Sequence, residues 1–158
     1  MKMFFYRLRD KRGSAMTFGI VLFIVLLMLS SSLIFYSQLK ITTAYIRNTA
    51  QRVLDTCTVT EGRREVESFK NGSDYTPALD SRLFTDRLQN ALGTGNDLTG
   101  YQNGKEKFQI SDVVLSFTKT DEIKASVRFT LHEPIYFSGK EVTALNATVT
   151  LYSQYNTK

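Results

Sequence analysis

Two side chains in this chain have the types that nucleophilic catalysis uses. Cys57 could act as a thiolate nucleophile and His132 could take its proton, the arrangement of a Cys/His hydrolase. The chain holds one cysteine and one histidine. Neither is marked by a third group that would orient the imidazole, so a solvated histidine and a small buried thiol describe them better. A zinc site built from three or four His and Cys ligands is arithmetically excluded within one chain, and a single cysteine forbids an internal disulfide. Glu61, Glu65 and Glu67 interleave with Arg63 and Arg64. Paired carboxylates can cleave glycosides, but there is no tryptophan to line a sugar groove. The expected arrangement is a solvated helical face with local ion pairs. The stretch Gly93-Thr94-Gly95-Asn96-Asp97 has the glycines of a phosphate cradle but lacks a preceding strand and the lysine of a P-loop. No cofactor, metal or catalytic residue is expected, and the chain reads as non-enzymatic.

The elements that carry these residues have clear periods. Leu39, Thr43, Ile46, Ala50, Val53 and Cys57 recur at spacings of 4, 3, 4, 3 and 4, one stripe of a helix. Such a seam packs either beneath the protein's own sheet or against a second chain as a coiled coil. Thr43, Ala50 and Cys57 make a thin zipper, which favours the sheet. From Thr60 to Lys107 the chain is polar and rich in breakers. Asn71-Gly72-Ser73-Asp74 reads as a loop, and Thr76-Pro77 as the start of a short helix carrying Leu79, Leu83, Leu88 and Leu92 and ending at Gly93. Gly93 to Gly104 reads as a connection. Ile123, Ala125, Val127, Phe129 and Leu131 then alternate with polar residues, the period of a strand with one wet face. Val113, Leu115 and Phe117 precede it across Lys119-Thr120-Asp121-Glu122, and Leu145, Ala147, Val149 and Leu151 follow it after Ser138-Gly139-Lys140. A helix first and a meander of three or four strands afterwards is α+β order.

The N-terminal part differs in kind. From Ala15 to Tyr36 there are 22 residues without a charge, Asn, Gln, His or Pro. As a helix this run reaches roughly 30 Å, the thickness of a bilayer's hydrocarbon core. A cleavable secretory signal has a shorter apolar region and a small-residue site after it, whereas this run leads into Phe35-Tyr36-Ser37-Gln38-Leu39-Lys40. A buried core helix of this length would show a polar face. The run therefore reads as a membrane anchor, with Phe4, Phe5, Tyr6, Phe35 and Tyr36 at its two ends as an aromatic belt. Lys2, Arg7, Arg9, Lys11 and Arg12 against Asp10 place most of the formal net charge of +5 before the run. That asymmetry keeps the N-terminus inside and puts the rest outside the cytoplasmic membrane. It also removes any basic surface from the folded part, so no nucleic-acid partner is expected.

A basic leader ending in Lys11-Arg12-Gly13, then Ala15-Met16-Thr17-Phe18 opening a long apolar helix that continues as an amphipathic one, resembles the prepilin architecture. It is closest to the TadE- and TadF-like pseudopilins (minor pilins) of tight-adherence pili, over roughly the first 57 residues. The resemblance implies cleavage by a prepilin peptidase between Gly13 and Ser14. It further implies a bacterial cell envelope, a membrane-held subunit, and partners among other pilin-like subunits and the pilus assembly machinery. Members of the family usually carry Glu five residues after the cut; Phe18 stands there instead. That departure suits a subunit at a filament tip or base, or a bitopic scaffold or sensor module of another envelope complex.

The expected organisation is thus a leader over 1–13, a transmembrane helix over 14–36 and an extracytoplasmic helix over 37–59. A loop and short-helix region over 60–107 and an antiparallel sheet region over 108–158 complete it.

Overall fold

The computed structural model describes residues 11–119, 122–137 and 139–156. The expected leader residues 1–10, the aromatics Phe4, Phe5 and Tyr6, the turn residues Thr120, Asp121 and Ser138, and the Phe137 side chain lie outside the described part. The fold is α+β. Helix α1 spans Lys11–Lys70 and helix α2 Ser81–Leu92. Strands β1 Thr99–Gln102, β2 Lys105–Lys119, β3 Glu122–Phe137 and β4 Lys140–Asn156 follow in order. The chain divides into two units at Ile41/Thr42.

In the first unit α1 carries the uncharged run, and its large apolar side chains are exposed on every side, Phe18 at 69%. One window of this helix is long and apolar enough to cross a membrane, with a mean hydropathy of 2.7. The serines in and just after the run do not interrupt it. Ser30 donates to the Leu26 carbonyl at 2.8 Å, Ser32 to Met28 at 3.0 Å and Ser37 to Leu33 at 2.8 Å, so each hydroxyl is satisfied within its own helix.

In the second unit the sheet is an antiparallel meander of order β1-β2-β3-β4. The remainder of α1 and all of α2 contribute to its core. Ile46, Ala50, Val53, Leu54 and Cys57 of α1, with Phe84 and Leu88 of α2, are buried in one cluster with Val127, Phe129, Leu131, Val149 and Leu151 of the sheet. On β3, Ile123 to Leu131 are buried at every second position while Lys124 and Arg128 are exposed, which the pleat requires. Strand β2 reaches the same end differently. Phe108 and Ile110 face the core at even positions, whereas Val113, Leu115 and Phe117 pack on it at odd ones. A bulge between Ser111 and Val114, with Asp112 at φ 53°, takes up the extra residue. It keeps the apolar set on one face.

Three boundaries differ from the expectation. The helix expected over 37–59 continues to Lys70, because the inward stripe runs on through Thr58, Glu61, Gly62 and Glu65, all buried. It stops where Gly72 takes φ 65° and lets Gly72 and Ser73 donate back to the Phe69 and Ser68 carbonyls at 3.3 and 2.9 Å. The short helix begins at Ser81 and not at Thr76-Pro77. Asp80, in extended backbone, caps it by accepting from the Arg82 N–H at 3.0 Å, a better N-cap than a threonine four residues earlier. The connection expected over Gly93 to Gly104 contains β1, paired to β2.

Candidate functional site

The peptide between Gly13 and Ser14, where the resemblance puts a cleavage, lies in helical backbone near the start of α1. Along the seam, Leu39 is half-exposed in the first unit and the other five residues belong to the second. Ile46, Ala50, Val53 and Cys57 are buried beneath the sheet. Thr43 is half-buried and donates from Oγ1 to Glu133 Oε1 of β3 at 2.8 Å. Glu133 is 2% exposed. Burial raises its pKa above the ordinary value, and the Thr43 hydrogen bond and the Lys107 charge offset part of that rise.

The residues capable of chemistry are not brought together. Cys57 faces the core, and Arg87 of α2 donates from Nη1 to its Sγ at 3.5 Å. Burial pushes this thiol above its ordinary pKa, with the Arg87 charge and hydrogen bond pulling the other way, so it is not an activated nucleophile. His132 points to the opposite face of the sheet, where its Nδ1 donates to Asn146 Oδ1 at 2.7 Å. A sheet layer separates the two.

The acidic run is the largest correction at residue level. Glu61 and Glu65 are 2% and 3% exposed and do not form a solvated face; Glu67, Arg63 and Arg64 are the exposed members. Glu61 accepts from Arg64 at 3.0 Å and from the Tyr75 hydroxyl. The hydrogen bond to this carboxylate is the main cause that raises the Tyr75 pKa, since the phenol must keep its proton to donate. Glu65 pairs with Lys119 at the end of β2, and its Oε2 has no partner. Each carboxylate is therefore matched by a cation from its surroundings, which is the condition for keeping a charge out of water. Sequence reasoning missed this pair, although Glu61 and Glu65 follow Cys57 one and two helical turns on, at spacings of 4.

Among the described residues of the second unit, two open cavities bear on a site. One, of about 480 Å³, lies on the sheet over Ser116, Thr118, Ser126 and Tyr152. The other, of about 310 Å³, lies between α1 and α2. Of the terminal aromatics, Tyr152 is 73% exposed, Tyr155 covers Gly62 of α1, and Tyr136 lies 5.4 Å under the Lys105 ammonium. Among the described residues no group of three or more His, Cys, Asp or Glu could hold a metal ion. What the arrangement offers is packing surface: a helix seam filled by its own sheet, a polar sheet face, and a groove beside the helix. In comparisons with known proteins, no family model, no curated protein and no solved structure matches this chain.

Proposed function

We propose that this protein is a non-enzymatic, membrane-anchored, pseudopilin-like component of a pilus or secretion-type filament assembly. It works by helix packing in the bilayer and by protein contacts outside, with its N-terminus in the cytoplasm. The observation that carries the reading is the division of labour along α1. Its uncharged part has every large apolar side chain exposed, whereas the part from Thr42 onward is spent on the core of a small α+β unit. A helix that is apolar all round needs a nonaqueous partner along its whole surface, and lipid or neighbouring helices supply one.

The second reading, a bitopic scaffold or sensor module of another bacterial envelope complex, is favoured by one residue. Phe18 stands where the resemblance leads one to expect a glutamate paired with a neighbour's new amino group. The mass of the protein recovered from membranes separates the two. Loss of residues 1–13 is the expected result, and an intact chain moves the assignment to the scaffold. Replacing Gly13 by Leu should then leave the protein full-length and block filament assembly; unchanged assembly would count against the pilin class.

A further inference from the structure

The groove between α1 and α2 holds two arginines without a carboxylate partner among the described residues. Tyr45, Thr49, Arg52 and Thr56 line it from α1, and Arg87 and Ala91 line it from α2. The four α1 residues are spaced 4, 3 and 4 apart on one face and cover about 16 Å of helix at 1.5 Å per residue. Neither Arg52 nor Arg87 forms an ion pair among the described residues. The Arg87 guanidinium, half-buried, donates to the Cys57 sulfur at 3.5 Å, and a thiol is a weak acceptor for a group with five donors. The carboxylate nearest in sequence to Arg52 is engaged elsewhere: Asp55 Oδ1 accepts from Gln51 at 2.9 Å.

Two guanidiniums facing one groove match the fork geometry of carboxylates and phosphates. The groove's shape and charge choose among the anions. It is elongated and has apolar flanks in Val53 and Ala91, whereas a lone phosphate fills only a few ångströms. Anionic lipid surfaces are read by clusters of about four to eight cations, and nucleic acids present a charge every ~1.7 Å of duplex. Two arginines over ~16 Å fit neither.

We propose that this groove docks an acidic segment of another protein, with a carboxylate held by Arg52 and Arg87 and an apolar side chain of the segment against Val53 and Ala91. The inference needs only the groove and its two cations and is independent of any cleavage at Gly13.

The test uses the full-length protein in micelles of a neutral detergent and a short fluorescent peptide of mixed Glu and Leu, read by anisotropy. Saturable binding is expected, with Arg52→Gln and Arg87→Gln each weakening it about tenfold. Arg63→Gln, which removes the same charge from an exposed site on α1, should change it by less than about twofold. Arg52 is exposed, so its variant reports even if the Arg87 variant unfolds. A matched Lys/Leu peptide should not bind. Equal losses in the Arg63 and Arg52 variants would show nonspecific attraction and overturn the proposal. So would inorganic phosphate competing as well as the peptide, or displacement of the peptide by phosphatidylserine vesicles that depends on Arg52.

Discussion

Glu133 is a buried carboxyl with a hydroxyl donor in Thr43 and the charge of Lys107 acting on it, and the sign of its effect on stability follows from the burial. Its folded-state pKa is raised, so the protonated form suits the fold. The favourable contribution is complete below the ordinary value of 4.5 and is lost as pH rises through the raised value; the ionised group then costs stability. Glu133→Gln keeps an acceptor for Thr43 without the charge. It should melt higher than the native protein near pH 7, and the advantage should shrink towards about pH 4; a difference independent of pH would show that the carboxyl does not titrate in this way. Gly62 poses a different question. Alanine there gains ~0.5–1 kcal/mol of helix propensity, but its Cβ would overlap the Tyr155 ring, and overpacking costs ~1–3 kcal/mol. The overlap wins, so Gly62→Ala should lower the melting temperature. In a Tyr155→Ala background the same change should be neutral or stabilising. Neither Glu133 nor Gly62 was legible as a core residue from sequence. Type argues against burying the first, and the second acquires its meaning only from a ring on the last strand.

At the scale of elements, the bulge in β2 makes a deletion informative. Between the pairs Ser111–Thr130 and Val114–Arg128, β3 offers one residue, Phe129, where β2 supplies two, Asp112 and Val113. Removing Asp112 would place Phe108, Ile110, Val113, Leu115 and Phe117 at a uniform spacing of 2 and would delete a non-glycine residue at φ 53°, itself a strained conformation. The shortened protein should therefore fold, with a circular-dichroism spectrum like the native one and a melting temperature within a few degrees of it. Removing Arg128 from β3, a strand paired on both sides, should unfold the second unit. It turns either Phe129 and Leu131 or Ile123 to Val127 to the wet face. If both deletions behave alike, the bulge does not set the facing of β2. The parity change from Ile110 to Val113 was present in the sequence as a signal; alternation searched only in unbroken runs passes over it. The seam of α1 was legible through Cys57 because its spacing and its apolar character agree. It was lost at Glu61, where spacing and residue type disagree.

For the whole molecule, the proposed anchoring carries a prediction about the side of the membrane on which the second unit lies. The charge excess before the apolar run predicts that it lies outside. With Ser73→Cys placed in the exposed turn after α1, a membrane-impermeant thiol reagent should label intact cells. Labelling confined to lysed cells would reverse the orientation. The native Cys57, 1% exposed and with its thiol pKa raised, should react far more slowly than the introduced thiol, so the two signals remain separable.

What the sequence by itself determined are the features whose cause is local. An uncharged run requires a nonaqueous environment for a helix, and periods of 3.6 and 2 assign α1, β3 and β4 to their types and faces. Gly93 ends α2 because the chain must turn there, whereas the run of α1 to Lys70 was not legible in the sequence. Only the tertiary structure decided the placements that depend on partners far along the chain. Lys119 comes from the end of β2 and permits Glu65 to be buried, Tyr75 from beyond the end of α1 adds a hydroxyl donor to Glu61 beside the local Arg64, and the approach of α2 to α1 sets Arg87 beside Arg52. The physical reason is that burying a charge is unfavourable for the residue alone and becomes tolerable only when the fold delivers its counter-charge. No window of sequence around Glu65 contains that information.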